Sequence, residues 1–419
     1  MASHTNGATI LSVDAMAILD SRGSPTLRVY TRLSDGSVGV ASAPSGKSTG
    51  KRENLELRDG DGAFGGRGVD HAVDNVRGPI NAYLFGQNIG DPVAIDRALV
   101  ELDGTTDRSR LGTNATVAVS MSVWRALAQS NREPLWKTLL QNPPNGQPIP
   151  LFNVINGGAH AVGGLQLQEF MLVPHGLSTT RDRIRCGAEV YAELHTCFAE
   201  AGMATGVGDE GGFVYTGARV KDAISLLCTA IERSGYHVGD QVALAIDAAA
   251  NGFRNTDGTY SPETGMRLST EQICDWWYEL VESAPIVLLE DPLHEDDLKG
   301  WDLLTRRLGS HITIVGDDIF VTEPTRIRRA VFDGIANAVL LKPNQVGTVS
   351  ETIEAWREAR RGFYKTVVSH RSGETCDAFI SDLAVGVGSD YLKAGAPARG
   401  ERTEKYNRLL EIEREMPVS

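Results

Sequence analysis

Short runs of Val, Ile and Leu with almost no polar residues recur through the second half of the chain, and each ends on a polar or charged side chain. Val242-Ala-Leu-Ala-Ile-Asp247, Ile286-Val-Leu-Leu-Glu290 and Ile312-Thr-Ile-Val-Gly-Asp317 close on acids; Ala338-Val-Leu-Leu-Lys342 and Tyr391-Leu-Lys393 close on lysines, and Lys365-Thr-Val-Val-Ser-His370 on a histidine. Strands covered on both faces read this way, whereas a half-exposed antiparallel strand alternates. Helix-length amphipathic segments fill most of the gaps, as in a (β/α) barrel, where the C-terminal strand ends surround one mouth and carry the active site. The pattern therefore brings three acids, two lysines and a histidine to one place.

The first part of the chain is patterned differently. Segments 10–20, 25–33 and 37–43 alternate in strand fashion, with Ser34-Asp-Gly-Ser37 as a hairpin turn, and predict a meander. The small-residue loop Ala43-Pro-Ser-Gly-Lys-Ser-Thr-Gly50 follows; such a loop can change shape and approach a ligand closely. Gly60-Asp-Gly-Ala-Phe-Gly65 spells a dinucleotide fingerprint, but no apolar strand precedes it, so it reads as a loop. Helices are expected at 69–85, at 91–102 with Asp91 as N-cap and Pro92 at the first position, and at 114–129. The helix-breaking stretch Gln141-Asn-Pro-Pro-Asn-Gly-Gln-Pro-Ile-Pro150 marks a boundary between domains at 1–140 and 141–419. Beyond it come two strands, 151–155 and 168–174, joined by a glycine-rich turn and so antiparallel, then helices at 180–201 and 218–234. The expected fold is α/β: an N-terminal α+β domain of meander and helices, followed by a (β/α)8 barrel in the order β-β-α-α-(βα)6.

A chain of 419 residues, 41% of them hydrophobic, has ample material for a core of this size. No apolar run of membrane-spanning length is present, and the first residues lack the basic and apolar regions of a signal peptide, so a cytoplasmic location is expected. The five cysteines have no CxxC spacing and read as reduced thiols. A formal charge of −13 argues against a nucleic-acid partner. An anionic substrate must then be held by local cations, for which Lys342, Arg371 and Lys393 are available. Asp247, Glu290 and Asp317 would repel one another unless a cation sat among them, and hard oxygen ligands at that density suit Mg²⁺.

Several motifs carry a closer likeness: Asp20-Ser-Arg-Gly23, Leu57-Arg-Asp-Gly-Asp61, Asn156-Gly-Gly158, Gln168-Glu-Phe-Met171, Gly208-Asp-Glu-Gly-Gly212 and Ser369-His-Arg-Ser-Gly-Glu-Thr375. In this order the chain resembles the enolase family, which dehydrates 2-phosphoglycerate to phosphoenolpyruvate. The resemblance implies that Asp247, Glu290 and Asp317 hold one Mg²⁺ and that Ser48 helps to bind a second. It makes Lys342 the base, Glu210 the acid and Glu169 its partner, with His160 and His370 as further active-site groups. Lys393 then contacts the substrate carboxylate, and Arg371 and Ser372 the phosphate. A lysine or histidine base working beside Mg²⁺ is the established pattern of that superfamily. A base of this kind calls for a depressed lysine pKa, and an acid for a carboxyl that keeps its proton near neutral pH. The family likeness also implies a homodimer or larger homo-oligomer.

The chain departs from the family's pattern around the site. Lys47 stands where enolases carry alanine, Cys376 where they carry glutamate, Ala394 in place of threonine and Gly400 in place of serine. An extra ammonium at Lys47, beside Ser48, would bring charge to the phosphate side of the site. An alternative expectation follows: an enzyme resembling carboxyphosphonoenolpyruvate synthase, which couples enolpyruvate chemistry to a nucleotide-activated phosphonoformate in phosphonate antibiotic assembly.

Overall fold

The computed structural model describes residues 7–47, 50–60, 62–141, 146–161, 163–217 and 219–416. The meander forms as its alternation requires: β1 (Ile10–Leu19), β2 (Pro25–Leu33) and β3 (Val38–Ser42) make an antiparallel sheet in the order β1-β2-β3. The expected helix at 69–85 is interrupted. α1 (Asp70–Asn75) and α2 (Asn81–Leu84) are separated by a wider π turn at Val76–Ile80, which contains Pro79. Proline has no N–H to donate to the helix ladder, so the turn widens around it. α3 (Pro92–Asp103) starts as its sequence dictates, with Asp91 accepting from the Ala94 N–H at 3.0 Å. α4 (Thr113–Asn131) is buried along most of its length and packs on β2 and β3; the single turn α5 (Leu135–Thr138) leads to the second part of the chain.

The second part contains β4 (Ile149–Asn156), β5 (Glu169–Val173), α6 (Thr180–Glu200), β6 (Phe213–Val214) and α7 (Val220–Arg233). Strand and helix then alternate: β7 (Ala243–Asp247), α8 (Thr270–Ser283), β8 (Ile286–Glu290), α9 (Leu298–Leu308), β9 (Thr313–Gly316), α10 (Pro324–Asp333) and β10 (Ala338–Leu341). The short α11 (Pro343–Val346) and α12 (Val349–Arg361) lead to β11 (Lys365–Ser369), α13 (Phe379–Val387), β12 (Tyr391–Lys393) and α14 (Gly400–Glu415). The strand order β12-β11-β10-β9-β8-β7-β5-β4 closes on itself through β12 and β4, giving an eight-stranded barrel with β6 attached outside the ring to β4.

Strand periodicity decides what faces the barrel axis. Ala243 and Ala245, Leu288, Val315, Ala338 and Leu340, Val367, Tyr391, Leu151, and Met171 with Val173 form one buried apolar cluster, separate from the core beneath the helices. Two residues further toward the mouth on the same strand face stand Asp247, Glu290, Asp317, Lys342, Ser369, Lys393 and Asn153. β5 is antiparallel to both neighbours, and its first residue, Glu169, pairs with Asp247, the last of β7. The reversed strand thus adds its N-terminal residue to the same ring of polar groups.

The N-terminal part covers the mouth and is tied to it by ion pairs and hydrogen bonds. Arg125 on α4 makes a two-pronged contact with Asp377 at 2.7 Å on each arm, and Glu53 meets Arg371 at 2.8 Å. Thr113 donates to the Asn344 carbonyl at 2.8 Å.

Candidate active site

Asp247, Glu290 and Asp317 end on adjacent strand positions, and all three are buried. Lys393 reaches them from β12: its Nζ lies 2.7 Å from Glu290, 3.0 Å from Asp247 and 3.2 Å from Glu169. Lys342 Nζ stands 2.5 Å from Asp317 Oδ2. Burial, together with the Asp247 charge, pushes Glu290 up to about 8. Burial also works to raise Asp317, yet Lys342 beside it keeps that carboxyl below its ordinary range. For Lys342 burial opposes the charged form, but Asp317 outweighs it and moves the lysine upward. The Asp317 carboxylate contributes more than the neighbouring Arg371 and Lys393, and the depression expected of a basic lysine calls for Mg²⁺ as well as Lys393 beside it.

The carboxylates are braced from behind. Asp247 Oδ1 accepts from the Ala249 N–H at 2.9 Å, and Asp317 Oδ1 from Gln345 at 3.0 Å. Asp291 accepts the backbone N–H groups of Asp317 and Asp318 at 2.8 and 2.9 Å, and Asn251 donates to Asp318 at 2.8 Å. Asp291 and Asp318 were not singled out by the strand-end pattern, although each directly follows a strand-end acid in sequence. Three buried oxygen donors on neighbouring strand ends, one pushed up to about 8 by burial and then by the Asp247 charge, fit a hard divalent cation.

The opposite wall of the site carries Glu169, Glu210, His160 and His370, every one buried. Glu169 and Glu210 were expected from motif alone, since a loop glutamate is ordinarily exposed. His160 Nδ1 is 3.6 Å from Oε1 of both glutamates, and His370 Nε2 is 3.3 Å from Glu210 Oε2. Asn153 on β4 donates to the same Glu210 oxygen at 3.0 Å, a contact with no signal in the sequence. Burial, and next the Glu210 charge, raise Glu169 well above the usual carboxylate range. Burial acts the same way on Glu210, but His370, His160 and Arg402 overcome it and hold Glu210 well below that range. The two neighbouring carboxyls are thus pushed in opposite directions, Glu169 up and Glu210 down. Burial lowers His160 as well.

Arg371 and Ser372 follow β11 on the side nearest the N-terminal loop. The Arg371 guanidinium contacts Glu53 at 2.8 Å and Asn344 at 3.0 Å, and Arg22 donates to Ser372 Oγ at 3.3 Å. The cavity lined by the lysines, glutamates, histidines, Asp247, Asp317, Arg371 and Ser372 measures about 20 Å³, room for a single water. A second cavity of about 1020 Å³ opens beside it between Arg22, Arg58, Arg399, Lys47, Glu56 and Asp209. Lys47 is turned to Asp209 at 2.8 Å, with 41% of its side chain exposed, so its charge faces the Glu210 loop instead of the phosphate contacts. Ser48 lies outside the described residues. Cys376 is an exposed free thiol, and a Cβ at Gly400 would stand 4.0 Å from its sulfur, so two of the departures are neighbours in space.

The family model of the N-terminal domain of enolase matches residues 10–139, and that of the enolase C-terminal TIM barrel domain matches residues 145–418. The chain is 48% identical over 408 residues to the enolase of a Nitratiruptor species, covering 97% of this chain and 96% of that one. It is 47% identical over 407 residues to the enolase of Mycobacterium leprae, covering 97% and 95% respectively. With a barrel whose second strand is reversed and a mouth lined by buried acids and lysines, the chain belongs to the enolase family.

Proposed function

We propose that the chain removes water from 2-phosphoglycerate to give phosphoenolpyruvate. The observation that carries this is one pocket lined by two kinds of proton-transfer group on different walls: Lys342 from β10, and Glu210 with Glu169 beside β4 and β5. Lys342, once separated from Asp317 and with its own proton lost to solvent, takes as a neutral amine the proton from the carbon bearing the substrate carboxylate. Lys393 meets that carboxylate, and Arg371 with Ser372 the phosphate. Glu210 gives a proton to the departing hydroxyl, which leaves as water, and the electron pair of the broken C–H bond forms the new double bond. His160 and His370 stand 3.6 and 3.3 Å from the two Glu210 oxygens and orient that carboxyl. Asp247, Glu290 and Asp317 would hold Mg²⁺, and Ser48 belongs to a second ion's set. Bound Mg²⁺ supplies fixed positive charge for the substrate carboxylate as its negative charge doubles.

A pocket of about 20 Å³ cannot accept a three-carbon phosphate unless Lys342, Lys393 and Arg371 draw away from their acid partners. Their present contacts mark the groups that the substrate's own anionic ends replace. The phosphonate alternative is not favoured, since Lys47, its main support, is engaged by Asp209 and the likeness to enolases spans nearly the whole chain. No helix among the described residues is long and apolar enough to cross a membrane. A cytoplasmic homodimer with two Mg²⁺ ions per site completes the proposal.

The test is the ultraviolet absorbance of the enol product when 2-phosphoglycerate and Mg²⁺ are mixed with the protein. Lys342→Ala should abolish exchange of the substrate α-proton with solvent, whereas Glu210→Gln should keep exchange and block water loss. Loss of exchange in both variants alike would remove the division of labour.

A further inference from the structure

Arg402, in the first turn of α14, is fully buried, and its guanidinium lies against the acid side of the site. Nη1 donates to His370 Nδ1 at 2.6 Å and to the Arg371 carbonyl at 2.7 Å. Nη2 donates to the Ser372 carbonyl at 2.7 Å and to the Asp209 carbonyl at 3.1 Å. Arginine has only donors and stays charged, so the ring nitrogen facing it can only accept. The one proton of the neutral imidazole must then sit on Nε2, which stands 3.3 Å from Glu210 Oε2. Burial, reinforced by Arg402 and opposed by Glu210, holds His370 down at about 3, so the ring stays neutral.

The consequence falls on Glu210. Its Oε2 already accepts from Asn153 at 3.0 Å, and His370 Nε2, a buried nitrogen with no hydrogen-bond partner of its own here, lies 3.3 Å from the same oxygen, where a small shift would let its N–H donate. We propose that Arg402 is a positioning residue for the proton donor: by fixing His370 as the Nε2–H tautomer it surrounds Glu210 Oε2 with donors and leaves Oε1 to carry the transferable proton. Oε1 is the oxygen on the His160 side, 3.6 Å from its Nδ1, and the same nitrogen stands 3.6 Å from Oε1 of Glu169. The inference rests on Glu210 being the acid of the dehydration. A simple clamp between the loops at Asp209 and Ser372 would work with either histidine tautomer, and this separates the two roles.

The experiment uses the full-length protein with histidine labelled by the heavy nitrogen isotope, and His370→Gln to assign the His370 resonances by NMR. The unaltered protein should show a protonated Nε2 and an unprotonated Nδ1 at His370. Arg402→Gln, whose amide can donate or accept, should mix or reverse the tautomer and slow water elimination by about a hundredfold or more. It should leave α-proton exchange within about threefold, because Lys342 is untouched. Arg402→Lys, again a charged donor, should keep the tautomer and most of the elimination rate. Protonated Nδ1 in the unaltered protein would overturn the proposal, as would an unchanged tautomer in Arg402→Gln. So would exchange and elimination falling together in step with melting temperature in both variants. If Arg402→Gln does not fold, the unaltered protein and Arg402→Lys decide the matter. Full elimination by Glu210→Gln would instead refute the acid assignment while leaving the tautomer result standing.

Discussion

Lys47 bridges the N-terminal loop to Asp209, the neighbour of Glu210, through a pair with 41% and 27% of the two side chains exposed. Such pairs are worth about 0–1 kcal/mol and are screened by salt. Lys47→Ala should therefore change kcat/KM for 2-phosphoglycerate by no more than about fivefold, with the difference disappearing as ionic strength rises. A salt-independent loss of tenfold or more would place Lys47 on the substrate after all. Gly46 beside it has less freedom, since a Cβ there would lie 2.0 Å from the Arg371 guanidinium. Arg371 is itself buried and anchored by Glu53 and Asn344. Gly46→Ala should displace the phosphate contact, raising KM by about tenfold while shifting the melting temperature little.

The strand ends were legible because a covered parallel strand is apolar until it leaves the sheet, so the polar terminus of each run stands out. The same logic recovered β5 as antiparallel from its short glycine-rich connection. Burial of Glu169 and Glu210 was not legible: one starts a reversed strand and the other sits in a loop, and only the barrel's closure turns both inward. The two-residue β6 and the π turn at Pro79 escaped because neither has a periodicity of its own. Nor could spacing show that Lys342 faces Asp317, a pairing across neighbouring strands that sets the direction of its pKa. Between elements, Arg125 of α4 and Asp377 after β11 join the two parts of the chain. Burial works to raise Asp377, yet Arg125 holds it below the usual carboxylate range. A depressed folded pKa contributes stability that is present above the unfolded value, about 3.9, and is lost as pH falls through the folded one. Asp377→Asn should thus lower stability near neutral pH by about 2 kcal/mol, since it removes the charged partner of a half-buried arginine that keeps only its bond to the Val40 carbonyl. The gap to the unaltered protein, read from urea midpoints, should narrow only below about pH 4. A gap that closes between pH 5 and 7 would show that another group controls it.

The barrel mouth concentrates five buried carboxylates, Glu169, Glu210, Asp247, Glu290 and Asp317, within a chain whose formal charge is already −13. Lys393 and Lys342 offset part of that charge from inside, which lets the fold hold acids that would otherwise have to take up protons. Burial, and after it the Asp247 charge, still pushes Glu290 up to about 8. A divalent ion held by Asp247, Glu290 and Asp317 would interact with the folded chain alone, because only folding brings these three strand ends together. By linkage, Mg²⁺ at a hundred times its dissociation constant should add about 2.7 kcal/mol. Melting temperature should accordingly rise with Mg²⁺ and fall by several degrees on chelation. Replacing Asp247 by Asn should flatten this dependence, even in a protein that turns over no substrate, since the reporter is unfolding and not activity. Asp59, an N-terminal acid outside the mouth, provides the control: Asp59→Asn should keep the full Mg²⁺ response. Equal melting curves with Mg²⁺ and with chelator in the unaltered protein would mean that the lysines already satisfy the strand-end acids and that the folded chain holds no Mg²⁺ at that concentration, which would remove the metal assignment.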